Sequence, residues 1–127
     1  MPTKQVIKPA KSPAALGPYN HANRIGDLLF CAGQIALDPA TGNLVGTDIK
    51  AQTQRALENL KSILDDQKLT FNNVVKSTVF MANLADFASM NEVYGRYFTD
   101  NFPARSTVQV AALPKGALVE IEVVAHY

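Results

Sequence analysis

The chain has 127 residues, of which 47% are hydrophobic and 18% are charged, and this composition predicts one globular domain spanning residues 1–127. Twelve basic and eleven acidic side chains give a formal net charge of +1, which argues against nucleic acid as a principal ligand. The single cysteine excludes an intrachain disulfide, and without a signal peptide or an apolar stretch of about 18 residues we expect a soluble cytoplasmic protein with no membrane partner.

Three strands are predicted before the first helix. A short strand at 6–7 precedes an irregular, proline-containing segment that ends at Tyr19, and a second strand is expected within residues 20–25. The nearly continuous apolar run 28–37 predicts a central strand that is buried on both faces. Cys31 lies in this run, where a thiol is most simply a small core side chain.

Two helices and a fourth strand follow. Thr47 or Asp48 is expected to cap the first helix, which carries its apolar residues on one face. Residues 74–81 predict a strand because they are rich in β-branched side chains, and Asn83 with Asp86 predicts the start of the second helix. The inward stripe of the second helix is expected to comprise Phe87, Met90, Tyr94, Tyr97 and Phe98.

Two alternating strands complete the chain after Pro103, which ends the second helical segment. The first of them begins near Arg105, and the second covers residues 119–125. Because most strands stand outside a βαβ repeat, the order of elements predicts an α+β fold. We expect a mixed sheet with both helices packed on one face.

Arg105 and Glu120 are the strongest functional candidates. A guanidinium at the start of a strand can bind a planar carboxylate through two parallel hydrogen bonds, which a lysine cannot do. A glutamate on a neighbouring strand can orient a water molecule or move a proton. The pair suggests a site for a small carboxylic acid with water as second reactant, whereas a solvated surface pair is the simpler interpretation. Alternation places Glu122 on the same face as Glu120, so the pattern alone does not choose between them.

Six segments, taken in order along the chain, resemble one family. They are Ala14–Tyr19, Ala32–Ile35, Val75–Phe80, Phe87–Tyr94, Phe102–Ser106, and Leu113–Lys115 together with Val119–Glu122. Over its whole length the chain is similar to the RidA (YjgF) family of imine deaminases. This resemblance implies a chorismate-mutase-like fold and a homotrimer with three sites in the clefts between subunits. It also implies that no cofactor or metal is used, and no Cys/His cluster in the chain has zinc spacing.

The resemblance further implies hydrolysis of 2-iminobutanoate and 2-iminopropanoate to 2-oxo acids and ammonia. It assigns Arg105 to the substrate carboxylate, and it singles out Glu120 over Glu122 as the residue that activates water. The other positions that correspond to pocket residues of the family are Tyr19, Gly33, Asn91 and Thr107. Each also has a plainer interpretation, since Gly33 can simply relieve crowding in a strand and Asn91 can simply be a solvated helix residue.

Two positions depart from the family pattern. Thr107 stands where cysteine is usual, which excludes thiol chemistry there but keeps a hydroxyl for substrate or water. Ala32 stands where serine is frequent, so one polar contact is lost. Both changes bear on substrate preference, while His21 and His126 have no partner motif and are assigned no role.

Two other functions remain open at this level. One is a non-catalytic protein of the same fold that senses a 2-oxo or amino acid through Arg105. The other is ribonuclease or chaperone behaviour, which is suggested only by activities reported for the family. The presence of Glu120 as well as Arg105 favours the enzyme, because a carboxylate sensor has no need of the glutamate.

Overall fold

A mixed sheet of six strands, covered on one face by two helices, forms the fold of the computed structural model, which describes residues 2–127. The predicted α+β class, with both helices on the same face, is confirmed. The strands are β1 Gln5–Ile7, β2 Ala22–Ile25, β3 Leu28–Gln34, β4 Val74–Met81, β5 Ala104–Gln109 and β6 Val119–His126. The helices are α1 Ile49–Asp66 and α2 Phe87–Tyr97.

The strand order in the sheet is β1-β2-β3-β6-β4-β5. All neighbouring strands are antiparallel except β4 and β5, which are parallel and are joined through α2. The last strand of the chain therefore inserts at the centre of the sheet between β3 and β4. In consequence β5 is left at an edge, where its side chains have a neighbouring strand on one side only.

Capping side chains mark the start of α1 and of the short turn that leads into α2. The Oδ1 of Asp48 accepts a hydrogen bond from the backbone N–H of Ala51 at 2.8 Å, so Asp48 is the cap of α1. Asn83 caps a short 3₁₀ turn over 84–86 by accepting from the N–H of Ala85 at 2.9 Å, and α2 follows at Phe87. The predicted start of the second helix is thus displaced by one turn, because the Asn/Asp signal serves the 3₁₀ turn.

The core lies between the helices and the sheet. Leucine and isoleucine side chains of α1 pack against alternate residues of β6 and β4 that face the helices. From α2 the predicted stripe contributes buried Met90 and Tyr94, and Val93 is buried as well. Phe87, however, is 38% exposed, so its place in the inward stripe was wrong. Its ring lies at the end of the helix beside Arg105.

The apolar run predicted as one doubly buried strand behaves differently. The strand β3 ends at Gln34, and residues beyond it turn back so that Leu37 bridges to Leu44. Within β3, Leu29 is buried against the helices, whereas Phe30 on the opposite face is 45% exposed. Burial on both faces needs a second covering layer, and this chain supplies helices on one side only.

We call the uncovered side of the sheet the open face. It is lined by alternate residues of the central and edge strands, namely Phe30, Lys76, Thr78, Phe80, Val108, Glu120, Glu122 and Val124. Within residues 2–127, no helix has the length and apolar character needed to cross a membrane.

Candidate active site

Arg105 lies on edge strand β5 and points to the side of the sheet that carries α2. Its Nη1 donates a hydrogen bond to the Oδ1 of Asn91 on α2 at 2.7 Å. The guanidinium carbon lies 4.7 Å from the centre of the Tyr94 ring and 5.5 Å from that of Phe87. Within the described residues the guanidinium forms no ion pair. The guanidinium is therefore held by the Asn91 amide and two aromatic rings, and no carboxylate of residues 2–127 neutralises its charge.

Tyr94 is part of the same cluster, although the sequence indicated only a core residue. Its hydroxyl forms a 2.7 Å hydrogen bond with the Oγ of Ser77, which pairs with Arg105 across β4 and β5. Burial raises the pKa of Tyr94, so the ring stays neutral at physiological pH. In the sequence, the aromatic stripe of α2 did not indicate that Tyr94 would lie against the guanidinium of Arg105.

Thr107 lies two residues after Arg105 on the same side of β5. Its Oγ1 is buried and finds no hydrogen-bond partner among residues 2–127. Buried hydroxyls in folded proteins nearly always have a partner, so this group has an unused donor and acceptor on the face of β5 that carries Arg105. Arg105, Asn91 and Thr107 were predicted as site residues; the structure bonds the first two to each other and places Thr107 on the same face of β5 as Arg105.

Glu120 lies on the open face, across the bulge of β3. A Cβ atom added to Gly33 would lie 2.6 Å from Oε1 and 2.8 Å from Cδ of Glu120. Gly33 therefore accommodates this particular carboxylate, because any larger residue would push it away. Partial burial, with a smaller contribution from the charge of Glu122, raises the pKa of Glu120. Such a carboxyl group can take up and release a proton closer to neutral pH.

Arg105 and Glu120 lie on opposite faces of the sheet. Glu120 pairs with Phe80 of β4, whereas Arg105 pairs with Ser77, three positions away on the same strand and on the side of α2. With strands about 4.8 Å apart and a rise of about 3.3 Å per residue, their backbones are separated by roughly 14 Å. A small carboxylic acid cannot contact both side chains within one chain.

Tyr19 belongs to neither group. Its ring is 44% exposed and packs edge-on against His21, with 6.0 Å between the ring centres. The hydroxyl accepts a hydrogen bond from the N–H of Leu16 at 3.1 Å. The tyrosine borders a cavity of about 360 Å³ that is lined by residues between positions 7 and 21. A second cavity, of about 490 Å³, lies on the open face beside Phe30 and Glu122.

Two other predicted features can be placed. Cys31 is buried in the core, and burial raises the pKa of its thiol to about 12, so it is an unreactive packing residue as the sequence indicated. Among residues 2–127, no three His, Cys, Asp or Glu side chains converge as metal ligands would.

These features define the class of protein. It is a small α+β domain with an arginine at a sheet edge that has no carboxylate partner among residues 2–127, and with a glutamate of raised pKa on the open face. The chain belongs to the RidA/YjgF family, whose model is described as endoribonuclease L-PSP and matches residues 9–127. The resemblance stated from the sequence is confirmed.

Individual relatives cover nearly the whole chain. A RutC family protein from Pyrococcus abyssi is 49% identical over 123 residues, with 97% of each chain covered. The human 2-iminobutanoate/2-iminopropanoate deaminase is 46% identical over 122 residues, which cover 96% of this chain and 89% of the human one. TdcF from E. coli, solved with bound serine, superposes with a TM-score of 0.91 at 39% identity and covers 97% of this chain and 98% of its own.

Proposed function

We propose that this chain hydrolyses 2-imino acids such as 2-iminobutanoate and 2-iminopropanoate to 2-oxo acids and ammonia. The observation that carries the proposal is the Arg105 cluster, an oriented guanidinium without a carboxylate partner in residues 2–127. The human, bovine and mouse relatives are named for this activity. The serine bound to TdcF supports a small ligand that carries a carboxylate.

The proposed reaction needs few groups because a protonated imine is already a strong electrophile. Arg105 holds the carboxylate of the substrate through two hydrogen bonds. Glu120 accepts a proton from water as the oxygen attacks the imine carbon and forms a carbinolamine. The same carboxyl group then protonates nitrogen, and as a carboxylate again it takes the hydroxyl proton while the carbon–nitrogen bond breaks and the carbonyl forms. Ammonia leaves and takes up this proton as ammonium, which restores the Glu120 carboxylate. Asn91, Thr107, Gly33 and Tyr19 complete the proposed pocket.

The assembly that we propose is a homotrimer whose sites are shared between subunits. Arg105 and Glu120 face opposite sides of one sheet, so the open face of one subunit must meet the β5 edge of the next for both to reach one substrate. Repeating this contact around a threefold axis gives a closed ring with three identical sites. The exposed apolar side chains of Leu28, Phe30 and Val108 are consistent with a covered open face.

The trimer can be tested by light scattering coupled to size exclusion. We expect a mass of about three times 13.8 kDa for the parent protein. Phe30→Glu places a charge on the open face, so the mass should fall towards that of one chain, and deamination should be lost while the fold is kept. Val45→Glu is the matched control, because Val45 is also exposed but lies in the loop before α1. A parent protein that is active as a monomer would contradict the shared site.

The activity itself has a direct assay. A threonine dehydratase generates 2-iminobutanoate in the cuvette, and the loss of the imine is followed with and without this protein. We expect faster loss of the imine with matching release of 2-oxobutanoate and ammonia. Identical decay in both samples would contradict the proposed function.

The family description names an endoribonuclease, but this chain gives no electrostatic support for RNA as substrate. Its net charge is +1, and the open face carries two carboxylates, Glu120 and Glu122, which repel phosphate. We propose that the substrate is the small acid alone. The cytoplasmic location and the independence of any cofactor stay predictions from the sequence.

A further inference from the structure

His21 and Gln34 form a pair of side chains to which the sequence assigned no function. The Nε2 of His21 is hydrogen-bonded to the carbonyl oxygen of Pro13, and Nδ1 lies 3.1 Å from the Nε2 of Gln34. An amide nitrogen only donates, so Nδ1 accepts and Nε2 carries the proton, as in a neutral imidazole. Gln34 is only 3% exposed and His21 is half-buried, so the contact is partly shielded from solvent.

The pair joins two parts of the chain that carry proposed site residues. On one side, Pro13 belongs to the N-terminal segment, residues 8–20, which ends at Tyr19 and Asn20. The Tyr19 ring packs edge-on against His21. His21 therefore contacts the segment at two points, the carbonyl of Pro13 and the ring of Tyr19.

On the other side, Gln34 supports the bulge of β3. Its Nε2 also lies 3.4 Å from the carbonyl oxygen of Ala32, and the N–H of Ala32 donates to the carbonyl of His21 at 2.8 Å. The pairing of β3 with β6 shifts register between Cys31 and Gln34, and Gly33 lies inside that irregular stretch. The carboxylate of Glu120 rests on Gly33, so the bulge sets its position.

We propose that His21 and Gln34 are positioning residues for the deamination, which hold Tyr19 and the Glu120 carboxylate in one geometry. This inference rests on the proposed function. Neither side chain contacts the substrate, and both act through the N-terminal segment and the bulge. Small displacements of a reacting group are costly, since about 1 Å can lower a rate by roughly 100-fold.

The test compares His21→Ala, Gln34→Met and their combination with the parent trimer. We expect each single change to lower kcat by roughly tenfold to 100-fold. The combination should lower it no further, because the two side chains form one unit. Binding of 2-oxobutanoate should stay within about threefold, because Arg105 on β5 is not part of the pair.

Conservative and control variants separate positioning from general stability. His21→Gln keeps one donor and one acceptor on a flat group, so it should retain kcat within about threefold of the parent. His126→Ala is the matched histidine control, since His126 is exposed and its ring is bonded only to the carbonyl of Tyr127. His21→Ala should also speed amide exchange in residues 14–17, 19–20 and 32–34 while leaving α1 and α2 unchanged.

Three results would overturn the inference. The first is a His21→Ala enzyme with parental kcat, and the second is additive losses in the double variant. The third is amide exchange in the His21→Ala variant that is unchanged in both segments. This result would show, even without an activity measurement, that the His21–Gln34 pair does not hold the two segments. An inactive parent protein would instead refute the proposed function, and the exchange result would then still decide whether the pair holds the two segments.

Discussion

Replacing Glu120 by glutamine should lower kcat for 2-iminobutanoate by about 10²- to 10⁴-fold. Glutamine keeps the size of the side chain and its contact with Gly33, but it cannot accept the proton of the attacking water. The steady-state rate in the coupled dehydratase assay measures this effect. Binding of a 2-oxo acid should persist and become somewhat tighter, because a negative charge near the carboxylate of the ligand disappears.

Glu122→Gln is the matched control for this prediction. Glu122 lies on the same strand and face as Glu120 but is exposed, so the kcat of the Glu122→Gln enzyme should stay nearly unchanged. Equal losses from both substitutions would indicate an effect on the fold. A fully active Glu120→Gln protein would favour the non-catalytic sensor over the enzyme.

The difference in stability between the Glu120→Gln variant and the parent protein should depend on pH. Burial, together with the neighbouring Glu122, raises the pKa of Glu120, so the folded chain favours the protonated carboxyl group. The stability that comes from this preference is present below the ordinary pKa of a glutamate and is lost as pH rises through the raised one. Glu120→Gln should therefore melt at a higher temperature than the parent at pH 7, and the difference should shrink in acid. A lower melting temperature at pH 7 would contradict this sign.

Replacing Arg105 by lysine should lower kcat/KM by roughly tenfold to 100-fold, since losing a hydrogen bond to a charged group costs about 1.5–3 kcal/mol. Lysine keeps the positive charge but cannot hold a carboxylate with two parallel bonds. It also lacks the flat surface that lies over the Tyr94 ring and the second nitrogen that bonds Asn91. The same change should weaken the binding of 2-oxobutanoate, which calorimetry can measure.

The control for the arginine is Arg96→Lys on the exposed side of α2. Arg96 lies 4.0 Å from Glu92, with both side chains more than half exposed, so kcat/KM should not change. Circular dichroism should show both variants folded. If the kcat/KM of the Arg105→Lys enzyme stays within about threefold of the parent value, Arg105 does not hold the substrate carboxylate through two hydrogen bonds.

The sequence by itself determined those elements that have a local cause. The bounds 74–81 of β4 were predicted as observed, because a run of β-branched residues ends at a helix signal. Asp48 was one of two predicted caps, since a carboxylate ahead of an amphipathic pattern satisfies free N–H groups of the first turn. Arg105 was singled out by its position at the start of a strand, whereas Asn91 and Thr107 were named through the family resemblance. In the structure Arg105 is hydrogen-bonded to Asn91, and Thr107 lies on the same face of β5.

Only the tertiary structure decided which faces these residues occupy. The insertion of β6 between β3 and β4 joins residues far apart in sequence, and no local pattern encodes such pairing. It placed Glu120 on Gly33 and on the opposite face from Arg105. It also gave Tyr94 and His21 contacts that their spacing did not indicate. Periodicity shows that side chains share a face, but only strand order and register decide what lies opposite that face.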